Sequence, residues 1–191
     1  MLSKLDKIIN SNKPRNAVCT SENKNINIIS NYIKKEVQNN ECILYEIDGS
    51  KTLSEKSFFK EFSNKMPLIK GFGHNMAAFM DLLRTCGYGS NSDFNHYILW
   101  DNAHLLYKNN PDFFYEVIDI MFGISKELVD CEKEKDKFPL EFVDWEPTLL
   151  RCFIVADLSI LKDNYDFTKL HDEFWNRIFY DRESNSELLM L

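Results

Sequence analysis

Apolar residues recur along the chain with two alternating periods, and the alternation predicts helices and strands in turn. Leu2, Leu5, Ile8 and Ile9 make a short amphipathic turn or two, closed by a breaker cluster over residues 10–14. Ala17 to Thr20 fits a short strand. Ile29, Tyr32, Ile33 and Val37 then mark one face of a helix over residues 26–37, ended by Asn39 and Asn40. CILYEID, residues 42–48, is a β-rich run stopped by Gly49. Thr52 and Glu55 predict a capping box for a helix burying Phe58, Phe59 and Phe62. A Gly/Ser/Asn loop over residues 87–95 leads into the strand HYILWD, residues 96–101. Asn110 and Pro111 then open a helix reaching about Val129. Residues 131–149 show no clear period and read as an insertion. LRCFIVAD, residues 150–157, is a further strand, and Phe167, Leu170, Phe174, Ile178 and Phe179 mark a last amphipathic helix before a loose tail after Asp181. Strands separated by helices imply parallel pairing, hence an α/β fold.

One stretch packs more into fewer residues than any other: KGFGHNMAAFMDLLR, Lys70 to Arg84. Gly71 and Gly73 permit a tight bend, and Asn75 is a good N-cap. Met76, Phe79, Met80 and Leu83 follow at the spacing of one buried helix face, which leaves Ala77, Asp81 and Arg84 opposite. A small residue and a carboxylate are therefore presented outward from a short, capped helix.

With its sequence, that stretch resembles the barstar family of intracellular ribonuclease inhibitors. The family signature runs aromatic-Gly-x-Asn, an apolar residue, then Asp-Ala-aliphatic-Trp-Asp. Phe72, Gly73, Asn75, Ala78 and Asp81 keep the pattern, while Ala77 replaces the first Asp and Met80 the Trp. The resemblance spans about residues 43–160. ILWDNAHLL and NPDFFYEVIDIM look like the second strand and next helix of larger bacterial members. It implies a small, largely parallel three-stranded sheet packed with helices, with a helical N-terminal extension as in the longer members; the helical C-terminal extension rests on the periodicity of Phe167 to Phe179 alone. The expected organisation is an N-terminal helical extension (1–40), a barstar-like domain (41–160, with 131–149 inserted) and a C-terminal helix and tail (161–191). The resemblance also implies that Asp81 enters a ribonuclease's phosphate-binding site, and that Phe72, Gly73, His74, Asn75, Met76, Ala77 and Asp81 form the partner-binding surface.

Composition narrows the partner. At 44% hydrophobic residues the chain can build a packed core. The formal net charge of −7 disfavours direct nucleic-acid binding and favours a basic protein such as a ribonuclease or nuclease toxin. The charge is uneven: residues 1–40 carry +4, whereas residues 111–150 hold 11 Asp and Glu against 4 Lys. An acidic field of this kind speeds encounter with a basic partner. No run of about 18 apolar residues occurs, and the N-terminus lacks a signal-peptide core, so a cytoplasmic protein, away from membranes and monomeric when free, is expected. Five dispersed cysteines without a C-x-x-C pair argue for reduced thiols rather than disulfides or zinc.

Enzymatic readings rest on fragments. GSKT, Gly49 to Thr52, looks like the end of a phosphate-binding loop, and ILWDNAHLL looks like a magnesium-binding strand ending at Asp101. Ser50 stands where the loop needs Gly, and Glu46 and Asp48 would face the phosphates. Asp101 and His104 lack a third ligand for a metal. The chain is therefore read as an inhibitor with no catalytic residue, metal or cofactor. A barstar-fold protein with a non-nuclease partner, or a nucleotide hydrolase using Lys51 and Asp101, are the alternatives.

Overall fold

Parallel strands covered on both faces read as near-continuous apolar runs, and YILW within NHYILWD and CFIVA within LRCFIVAD do so. The computed structural model describes residues 2–13, 15–21, 26–38, 42–66, 73–135, 145–157 and 186–190. Its strands are β1 (Asn16–Ser21), β2 (Cys42–Asp48), β3 (Asn95–Asp101), β4 (Leu150–Asp157) and β5 (Ser186–Met190). All pair in parallel, in the order β2-β3-β4-β1-β5. The α/β class holds, but the expected three strands are too few. Two strands add to them. β1 is the short strand expected over Ala17 to Thr20, which the three-stranded sheet did not include; its polar Asn16, Thr20 and Ser21 are all buried, and Asn16 Oδ1 accepts from the Cys152 amide at 2.9 Å. β5 is five residues long, too short for a period to emerge, and it lies in the tail expected to be loose.

The helices are α1 (Leu2–Ile9), α2 (Ile26–Gln38), α3 (Glu55–Lys65), α4 (Met76–Arg84), α5 (His104–Asn109) and α6 (Pro111–Lys135). The chain crosses from β1 to β2 in one direction and steps back through β3 to β4 in the other. With right-handed crossovers, these opposite steps put their helices on opposite faces. Ala17, Cys19, Tyr97, Leu99, Phe153 and Val155 accordingly pack under α1 and α2, while Val18, Ile47, Ile98, Trp100 and Ile154 pack under α3 to α6. Helix α6 runs six residues past the expected Val129. The amphipathic segment marked by Phe167 to Phe179 lies outside the described residues, as do residues 136–144 of the expected insertion.

Local chemistry sets the helix starts. Asn110 Oδ1 accepts from the Phe113 amide at 3.2 Å, as expected of a cap. The capping box of α3 is Ser54 with Ser57 rather than Thr52 with Glu55. Thr52 is instead buried, accepting from Trp100 Nε1 at 3.2 Å and donating to the Gly49 carbonyl.

The larger core converges on Phe58 of α3. Its ring centroid lies 4.4 Å from Phe62, 5.2 Å from Phe79 of α4, 5.4 Å from Trp100 of β3 and 5.5 Å from Phe113 of α6. Most of these pairs are edge-to-face, the arrangement the ring quadrupole favours. Phe58→Ala should therefore cost about 3 to 5 kcal/mol, read from urea unfolding. A loss below about 1 kcal/mol would mean that the surrounding helices close over the gap without needing this ring.

Candidate functional site

Helix α4 is held by its cap and by its inner face. Asn75 is extended, with φ −147°, and its Oδ1 accepts from the Ala78 amide at 2.9 Å. Phe79, Leu82 and Leu83 are fully buried, and Met76 and Met80 are partly buried against the same core. Gly73, His74, Asn75, Ala77 and Asp81 are exposed, so five of the seven expected contact residues share one outer surface. Met76 lies half-buried beside them, and Phe72 lies outside the described residues, as does Gly71.

Gly73 has a role different from the expected one. Among the described glycines only Gly89 has a positive φ, so the backbone at Gly73 does not demand glycine. A Cβ there would sit 3.3 Å from Asn75 Nδ2 and 3.4 Å from Ala78 Cβ. The missing side chain leaves room for the cap amide.

Asp81 is 69% exposed, and one oxygen lies 3.7 Å from Arg84 Nη1. The stronger partner of Arg84 is Glu127 on α6: Nε donates to Oε1 at 2.6 Å and Nη2 to Oε2 at 3.0 Å. This two-bond fork fixes the guanidinium and ties α4 to α6. Its contact with Asp81 is weaker, worth about 0.2 to 0.5 kcal/mol for such an exposed helical pair. Asp81 is therefore available to another cation. Sequence reasoning missed Glu127, because no motif distinguishes one acid of α6 from the next.

The fragments that suggested catalysis meet at one pocket, lined by Asp48, Lys51 and Asp101 together with Lys34, Glu46 and Lys65, but their polar groups are engaged with one another. The sequence GSK forms a 3-10 turn whose Ser50 amide and hydroxyl both donate to Asp48 Oδ1, at 3.0 and 2.6 Å, while Lys51 lies 3.5 Å from the same carboxylate. The donors a phosphate would need are already engaged by an acid. Ser50 and Lys51 hold Asp48 below the usual carboxylate range. Gly49 is needed for another reason: a Cβ would lie 2.1 Å from the Asp101 carbonyl, so the turn packs directly on the end of β3.

Asp101 accepts from Ser30 Oγ of α2, and Lys34 stands 3.9 Å away while forming a closer pair with Glu46 at 2.6 Å. His104 does not join it: its Nδ1 accepts from the Asp157 amide at 3.0 Å, and burial holds its pKa down. Among the described residues no three metal-ligating groups come together. The four described cysteines are free thiols, and burial pushes Cys19 and Cys86 up to about 12. Among the described residues no helix is long and apolar enough to cross a membrane.

A family model described as Barstar (barnase inhibitor) matches residues 43–143, which runs from β2 through α6. No curated protein matches the chain. Among solved structures the chain is similar to one of Drosophila ORC bound to DNA, with a TM-score of 0.52 and 13% identity, covering 100% of this chain and 41% of that one. Cdc6p from Pyrobaculum aerophilum matches with a TM-score of 0.48 and 11% identity, over 97% of this chain and 41% of that one. The chain thus spans about two fifths of these proteins, and the first likeness concerns the fold alone.

Two outcomes test this geometry. Asn75→Ala should destabilise the protein by about 1 kcal/mol in chemical unfolding, against little effect for Asn75→Ser. Burial raises the pKa of Asp101, so the folded state holds that proton more tightly than the unfolded chain. Stability should fall as pH rises from about 4 through the raised value, and Asp101→Asn should remove that part of the slope. Parallel stability profiles for the two proteins would show that the carboxylate is not strained by its burial.

Proposed function

The chain belongs to the barstar family of barnase inhibitors, and from that premise we propose that it inhibits a basic ribonuclease or nuclease toxin by plugging its active site with the segment from Gly73 to Asp81. The observation that carries the reading is Asp81, an exposed acid on a helix that is capped at Asn75 and seated by Phe79, Leu82 and Leu83. Such an acid reaches a cationic, phosphate-binding cleft without first having to be ordered, and it offers the same charge as the phosphate it displaces. Ala77 and Gly73 leave the surface beside it low, so that a partner's backbone can approach. Inhibition then needs no turnover and no cofactor.

Charge supports the same partner. The overall −7 favours a basic protein, and association should weaken as salt screens it. Ala77 and Met80 replace a family acid and the family Trp, which removes one charge and one large ring from the contact. The reading therefore includes a nuclease whose surface differs from that of barnase. The nucleotide-hydrolase alternative loses support from the Asp48 carboxylate seated in the GSK turn.

The experiment is cleavage of a labelled RNA by barnase-type ribonucleases at increasing inhibitor concentration. Truncating one member of a buried charge pair costs about 2 to 5 kcal/mol, so Asp81→Ala should weaken inhibition by at least about thirtyfold. Glu36→Ala, the same charge change on α2 across the sheet, should leave it within about twofold. Equal inhibition by Asp81→Ala and the unaltered protein would overturn the assignment of this contact.

A further inference from the structure

Arg151 places a charge inside β4, a strand buried along its whole length. It is 1% exposed. Nη1 donates to the Tyr97 hydroxyl at 2.8 Å, the guanidinium carbon stands 5.2 Å from the centre of the Tyr97 ring, and Nη2 donates to the Ser11 carbonyl just beyond α1. The Tyr97 hydroxyl passes its own proton to the Ile9 carbonyl at 3.2 Å. Among the described residues no carboxylate pairs with Arg151, and its Nε has no acceptor. Of the five N–H donors a guanidinium carries, the one on Nε is left unsatisfied. The Ser11 carbonyl offsets part of the charge, but a buried cation without a counter-ion is still unfavourable. An apolar side chain would serve the strand better, unless the charge has a use.

A cavity of about 810 Å³ gives it one. Arg151 and Tyr97 form part of its wall, at the edge of the sheet where the strands begin, and the rest comes from residues 9–12, 92–95 and 147–149. The volume is that of a small-molecule site and too small for a folded partner. Phe94, 45% exposed, is one of the lining residues, and Asp93 is the one acid among them. Phe94 would cover an apolar ligand body, while Asp93 disfavours ligands with several negative charges.

We propose that this cavity binds a small organic ligand carrying a single oxyanion, carboxylate or phosphate, with Arg151 as its counter-charge and Phe94 against its apolar part. The site is separate from α4 and does not depend on the inhibitor reading. Benzoate and phenyl phosphate share a ring and differ in the oxyanion, so thermal unfolding in each, against sodium chloride of equal ionic strength, distinguishes the two sources. At least one should raise the midpoint by a few degrees at millimolar concentration, and Arg151→Met should abolish the shift. Should that variant fail to fold, Asn95→Trp, at an exposed position in the wall, should fill the cavity and remove the shift while leaving the ligand-free midpoint in place. No shift beyond the chloride control, or a shift that survives Asn95→Trp or a folded Arg151→Met, overturns the proposal.

Discussion

The packing of Phe58 against Phe79, Trp100 and Phe113 is the contact on which the outer surface depends. Aromatic rings set at fixed angles determine not only how far apart three helices and the sheet lie but how each helix is rotated about its axis. For α4, rotation is what matters. With Phe79 directed inward, Ala77 and Asp81 can only face outward, so the exposed acid is a consequence of the core. The Arg84 to Glu127 fork then locks the far end of α4 to α6. A surface residue is in this way aimed by buried ones.

Legibility followed the range of the forces involved. The Asn75 and Asn110 caps were readable because each involves an amide three residues away, and the apolar runs of β2, β3 and β4 because sheet burial imposes them residue by residue. Thr52 was misread: its spacing to Glu55 fits a cap, but the hydroxyl is claimed by Trp100, 48 residues distant. The weakness of Lys51 as a phosphate ligand was legible from Asp48 three residues before it, and the turn indeed engages that carboxylate. β1 was legible as a short strand over Ala17 to Thr20, but not its place in the sheet, because its partner β4 lies more than a hundred residues later. Arg151 was visible as a charge within LRCFIVAD, but nothing near it in the chain indicated what surrounds it. Of the proposed contact surface, the exposure of Asp81 was legible and the clasp beside it was not.

The uneven charge of the chain becomes a spatial division. Residues 1–40, with their +4, supply α1 and α2 on one face of the sheet. The acid-rich α6 lies with α4 on the other. A basic protein approaching the molecule would be drawn to the face that presents Asp81 and repelled from the opposite one. The family match covers the acidic side and the two strands beneath it, β2 and β3, while β1, β4 and β5 lie outside the matched residues.

The position of β1 in the sheet also sets an order of assembly. It is the first of the described strands, but its neighbours are β4 and β5, the last two of them. During synthesis β1 emerges with both edges open, and it stays so until more than a hundred further residues have left the ribosome. β2, β3 and the helices around Phe58 can meet earlier, because their contacts span shorter stretches of chain. Closing the longest loop last carries the largest entropic cost and the longest exposure of unpaired backbone. The half of the molecule with the candidate contact surface would then mature first, and the half with the Arg151 cavity would be completed only when the two ends of the chain meet.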